Sequence, residues 1–257
     1  MIKFFRKIRQ NLLMENKTRK YLKYAIGEII LVVIGILIAL QINNWNEQRK
    51  IDILQVEALK EVVSDLQDDF SSLENDIGLN YRALNSASII RKVLDSNQAY
   101  HDSLGVHFGN LDFNTTYTLK TSGFDNLRNL GFQIIANDKV RKSITDLYAS
   151  EYSFLKEREE LAEQRTYEYF SPLYISYFRN MKSIKGEHGT LRAYIPLNFE
   201  SMKSDQDFEK LLDYIIIVKE DNLYSINSAI RNLKQTHFII NTYLKTISSD
   251  YNNATVL

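Results

Sequence analysis

Histidine, cysteine and paired carboxylates carry most protein chemistry, and here their number and spacing point away from catalysis. The chain has no cysteine, which excludes disulfides, thiolate metal sites, covalently attached haem and a lipobox anchor. A carboxylate-bridged metal pair in a helical bundle calls for Glu-x-x-His on facing helices. None of His101, His107, His188 and His237 has Glu three residues before it. Glu61, Asp65, Asp68 and Asp69, and later Glu157, Glu160 and Glu163, group at helical spacing. They are interleaved with basic residues or stand off the apolar stripe, so they read as a solvated face. Asn110, Asp112 and Asn114 imitate the opening of a calcium loop whose central glycine and closing Glu are missing. There is no phosphate-cradling glycine loop, no Gly-x-Ser-x-Gly and no zinc-protease helix motif. A Ser/His/Asp triad assembles only in the fold and stays open at this point. The expectation is a protein without catalytic residues, metal or cofactor, and not an enzyme.

The strongest feature is physical. Tyr24 to Trp45 reads YAIGEIILVVIGILIALQINNW, and from Ile29 to Leu40 every residue is apolar or glycine. As a helix these residues reach about 33 Å, enough to cross the hydrocarbon layer. Eight basic residues precede the run against the single acid Glu15, a net charge of +7, while the remainder holds 24 basic and 31 acidic residues. Basic residues beside a span stay in the cytoplasm. The division expected is therefore a basic cytoplasmic leader (1–23), a single transmembrane helix (24–45), a periplasmic helical domain (46–247) and a flexible tail (248–257). The run is long and no small-x-small pattern follows it, which favours an uncleaved signal-anchor in the inner membrane. Met1, Phe5, Ile8 and Leu12 give the leader an apolar side suited to an anionic leaflet. Glu28, Gly35 and Ala39 share one helix face. The small-xxx-small pair lets another helix approach, and a carboxylate near the membrane edge marks a contact or reaches the headgroups.

The leader MIKFFRKIRQ and the segment YAIGEIILVVIGILIALQINNWNE resemble the signature of a family of uncharacterised single-span bacterial membrane proteins, a domain of unknown function. The resemblance is dense over about the first fifty residues and looser beyond. It implies the same topology with a helical region outside the membrane, and carries over no activity or site residue.

Two prolines and nine glycines in the whole chain favour long helices, so the fold class expected is all-α, a bundle beyond the span. Leu59, Val63, Leu66, Phe70, Leu73, Ile77, Tyr81 and Leu84 form one apolar stripe on a helix over Lys50 to Leu94. Residues 95–120 read as a connection. A short helix from Ser122 ends at Gly131 in a left-handed cap. Asn137 or Asp138 caps a second long helix, running to about Phe170 with Val140, Ile144, Leu147, Tyr148, Phe154, Leu155, Leu161 and Ala162 toward the core, and Ser171-Pro172 interrupts it. Around that point Tyr167, Tyr169, Phe170, Tyr174, Tyr177 and Phe178 form an aromatic cluster, either core at a kink or the wall of a ligand or partner site. Residues 191–199 alternate as one extended piece. From Ser204 or Asp205 a third helix runs to about Ile247. A short, tethered leader without a binding module excludes nucleic acid. The partners expected are the lipid bilayer and a second copy or another envelope protein. The role expected is structural or interactive, with an extracytoplasmic ligand-binding or sensory module as the alternative.

Overall fold

The computed structural model describes residues 18–112, 114–186 and 189–248. The leader helix with Met1, Phe5, Ile8 and Leu12, together with Phe113, His188 and the tail after Ser248, lies outside the described residues. Two compact units divide the chain, Met1–Gln55 and Val56–Leu257. One helix, α1 (Thr18–Asp95), begins in the first and supplies the opening helix of the second. In the first unit its apolar residues stand exposed all round: Ile29 by 64%, Val33 by 47%, Ile36 by 55% and Leu40 by 53%. This stretch is long and apolar enough to cross a membrane, and none of it is buried.

The second unit is helical with one small sheet. After α1 come α2 (Leu104–Leu111), α3 (Ser122–Leu130), a 3-10 turn (Phe132–Ile134), α4 (Asp138–Asp146), α5 (Ser153–Arg165), α6 (Ser171–Ser176), β1 (Phe178–Gly186), β2 (Gly189–Pro196), α7 (Phe199–Met202) and α8 (Gln206–Ile247). α1 and α8 run past each other in opposite directions, since Arg91 meets Asp213 while the Lys234 ammonium lies 4.4 Å from the Phe70 ring centre. Two hydrophobic clusters fill the body. One joins Leu59, Val62 and Leu66 of α1 to Leu127, Ile144, Leu147 and the later half of α8. The other joins Ala87 and Ile90 to Phe108, Tyr174, Tyr194, Phe208 and Leu212.

Local chemistry sets the helix ends. The Asn137 side chain accepts from the amides of Lys139 and Val140, and the Asp205 carboxylate accepts from those of Asp207 and Phe208, each satisfying donors that the first turn leaves open. Helix α3 stops at Gly131 as expected, but with φ 87° and ψ 127°. That is a positive φ glycine tolerates, not the left-handed helical cap.

Four further expectations are corrected. Residues 95–120 hold a helix, α2, whose short buried face (Leu104, Phe108, Leu111) is too brief to stand out against its polar flanks. The residues at 191–199 are not a lone extended piece. Residues 189–196 pair antiparallel with Phe178–Gly186, whose own side chains are almost all exposed and show no alternation. Pro172 does not interrupt the helix. A widened π turn at Thr166–Phe170 precedes α6, and the Ser171 amide reaches back to the Thr166 carbonyl. This spacing accommodates a residue without an N–H and relieves the clash its ring makes with the preceding turn. The fourth correction is the acidic face of α1.

Candidate functional site

The buried face of α1 runs Ala58, Val62, Asp65, Asp69, Leu73, Asp76, Asn80, Ala83, Ala87 and Ile90. Steps of three and four put carboxylates in the middle of the seam, one position away from the purely apolar stripe. Asp69 is wholly buried, and Asp65 and Asp76 nearly so; Glu61 is half-buried and only Asp68 faces solvent. What compensates them lies more than fifty residues away. Asp65 accepts from the Gly123 amide at 2.7 Å and from the Ser122 hydroxyl at 2.8 and 2.9 Å. Glu61 accepts from the Asn126 amide at 2.7 Å. The start of α3 is thus capped by a neighbouring helix, where its open amides and positive dipole end favour an anion. The approach is so close that a Cβ on Gly123 would stand 2.6 Å from the Val62 backbone nitrogen.

Asp69 reaches the next stretch. It accepts from the Lys120 amide at 2.7 Å and from the Tyr152 hydroxyl at 2.8 Å. Burial lifts its carboxyl from 3.8 to about 6, against the pull of these two donors and with the help of Asp65 and Asp68. Burial also raises Asp76 to about 6, with Glu159 adding to it, and its Oδ2 has no hydrogen-bond partner among the described residues. Tyr152 belongs to a second π turn, Leu147–Tyr152. The extra residue per turn shifts the helical phase, so that Tyr148, Tyr152 and Leu155 are buried while Phe154 and Leu161, expected in the core, are exposed.

In front of this polar seam lies a cleft of about 440 Å³, lined by Tyr117, Phe124, Tyr148, Tyr152, Lys156 and Glu159 among others. The Phe124 and Tyr148 rings stack at 4.5 Å, and Tyr148 meets Tyr152 edge-on at 5.1 Å. Tyr148 is 6% exposed. Its hydroxyl is buried with no partner among the described residues, and burial raises its proton affinity. The Glu159 carboxylate accepts from the Tyr117 amide at 2.9 Å.

The other candidate residues are dispersed. Among the aromatics at Pro172, Phe170 and Tyr174 are buried, Tyr177 and Phe178 half-buried, and Tyr167 and Tyr169 point outward at 66% and 71% exposure. Tyr174 donates to the Phe108 carbonyl at 2.7 Å and packs on Phe170, Phe178 and Phe208, so the cluster's inner members are filled core. Asp112, from the calcium-like triplet, accepts from Tyr194 and, at 3.3 Å, from Ser171. Near it Lys219 is buried, which lowers its ammonium to about 8 while Asp112 pulls it back up. His107 bonds Ser86, His101 bonds Ser103 and His237 bonds Asn241. Among the described residues no three His, Cys, Asp or Glu side chains gather as a metal site. Glu157, Glu160 and Glu163 are solvated as expected. Glu28 is half-buried in the first unit, with Gly35 and Ala39 exposed on α1. Sequence reasoning missed the carboxylate seam and the cleft, and the one available signal was the heptad-like spacing of Asp65, Asp69, Asp76 and Asn80.

Fold and site together define a helical protein with a long apolar N-terminal helix and a body threaded by buried carboxylates. The chain belongs to the family of unknown function DUF6090, whose model matches residues 28–218. The likeness therefore extends well beyond the apolar stretch into the helical body. No curated protein matches the chain, and no solved structure does.

Proposed function

We propose that residues 24–45 cross the cytoplasmic membrane once, with the basic leader inside, and that the helical domain stands on the periplasmic side as a structural or protein-binding module of the cell envelope, without catalysis. The observation that carries this reading is the all-round exposure of the run Ile29–Leu40 in the folded chain. A helix apolar on every side, with its own protein covering none of it, is stable in hydrocarbon and a liability in water. The +7 leader supports the orientation. Gly35 has open space around its Cα, so with Ala39 it lets a second helix, from another envelope protein or a second copy, come close.

Two measurements test this. Alkaline carbonate extraction of membranes should leave the full chain in the pellet, and release into the supernatant would overturn the span. Gly35→Leu with Ala39→Leu should lower the yield of a cross-linked partner or dimer while the chain stays in the membrane. Unchanged cross-linking would overturn the role of that face.

A further inference from the structure

We propose that the cleft beside residues 114–121 docks an extended peptide segment of a partner protein, which adds a strand to this segment and places an apolar or aromatic side chain among Tyr117, Phe124, Tyr148 and Tyr152. The proposal rests on reading the domain as a protein-binding module and specifies what it binds.

Residues 114–121 connect α2 to α3 without helix or sheet pairing. Their fixed points are few. Tyr117 and Lys120 give their amides to Glu159 and Asp69, and the Thr121 carbonyl accepts from Asp125. Among the described residues, the main-chain groups of Thr116, Thr118 and Leu119 enter no hydrogen bond. Thr116 and Thr118 are exposed, and Thr118 and Leu119 line the cleft. An anchored stretch with unpaired N–H and C=O groups is the template on which strand addition works, because a second extended backbone supplies matching donors and acceptors. A helix has none to spare, and a small apolar ligand has none at all.

The cleft adds side-chain recognition. Four aromatic side chains give the cleft an apolar wall, and aromatic area of this kind anchors protein contacts. The charges select further. Asp125 is engaged by Arg128 at 2.9 Å and by the Thr121 hydroxyl at 2.9 Å, and Glu159 by the Tyr117 amide. Lys156 lines the cleft at an exposed position, and within the cleft its charge acts on Glu159, tempering the rise that burial gives that carboxyl. The occupant that fits is an extended segment alternating apolar and polar residues and carrying a carboxylate for Lys156.

The test uses the full chain in lipid nanodiscs and a displayed library of random linear ten-residue peptides. Selection should enrich alternating sequences containing an acidic residue, and a selected peptide should slow amide exchange at Thr116 and Thr118. Thr118→Pro, which removes one donor, should abolish that binding. Lys156→Glu, at an exposed position, should weaken it by about tenfold while circular dichroism stays unchanged. No enrichment, peptides that protect other segments, or equal binding by the Lys156→Glu variant would overturn the proposal. So would a dimer of the chain that occupies the cleft and dissolves in Thr118→Pro. None of these outcomes touches the carbonate extraction or the Gly35 and Ala39 cross-linking, so failure here is separable from failure of the envelope-module reading.

Discussion

Within the single helix α1, two regions invert the usual rule. Over Ile29–Leu40 the side chains are the most apolar in the chain and all exposed, whereas further along Asp65, Asp69 and Asp76 are charged by type and buried. Side-chain polarity therefore does not say what surrounds a residue. What decides is whether the environment meets its needs: for the first region the hydrocarbon that the proposed span would give it, and for the second a set of amides and hydroxyls delivered by α3, residues 117–120 and Tyr152.

The largest break in that comparison comes from charging the apolar run. Ile34→Lys with Leu37→Lys should cost about 6 kcal/mol of insertion, at roughly 3 per lysine near the centre. Cell fractionation should then find the chain lost from the membrane or degraded. Next comes Gly123→Ala. The added methyl meets backbone rather than a movable side chain, so α3 must lift away from α1. A loss of about 3 kcal/mol, read by denaturant unfolding, is expected. Asp65→Ala removes the acceptor for the Gly123 amide and the Ser122 hydroxyl, and should cost about 2 kcal/mol. Asp65→Ser, with one oxygen left, should recover part of it.

Asp76 sharpens the comparison in the opposite direction, because it is a buried carboxylate whose Oδ2 lacks a partner among the described residues. Its folded value of about 6 lies above the usual 3.8, so the folded state holds the proton more tightly. Stability then falls as pH rises from about 4 to about 6, and the penalty is complete above that. Asp76→Asn should flatten this slope and raise stability at pH 7.5 by about 1 kcal/mol, roughly 2–4 °C in Tm. Unchanged or lower stability at pH 7.5 would show that the carboxylate is satisfied there. The smallest effect belongs to the exposed Lys50–Glu47 pair, where Lys50→Ala should change stability by less than about 0.5 kcal/mol.

What the sequence made legible follows from distance along the chain. The apolar run, the caps at Asn137 and Asp205 and the stop at Gly131 depend on residues within a turn or two of one another, and sequence displays such neighbours directly. The carboxylate seam depends on partners such as Gly123 and Tyr152, so Asp65 and Asp69 look like any solvated pair until α3 and the π turn are in place. The π turns leave no periodic trace except a slip of phase, which moved Phe154 and Leu161 out of the core and Tyr152 into it. Strand β1 escaped notice because pairing, not burial, holds it. The aromatic cluster at Pro172 was visible, but which rings face inward depends on Phe108 and Phe208, from elements far away in sequence. The cleft was illegible for the same reason, since Tyr117 and Tyr148 meet only in the fold.

The central claim, a body held on the periplasmic side of the cytoplasmic membrane by one threaded helix, has a direct test because the chain has no cysteine of its own. Tyr224 is 74% exposed on α8, and Tyr224→Cys gives a single thiol on the domain. In intact spheroplasts a membrane-impermeant maleimide should label it fully, with no further gain on lysis. A thiol that reacts only after lysis would place the domain in the cytosol and contradict the account.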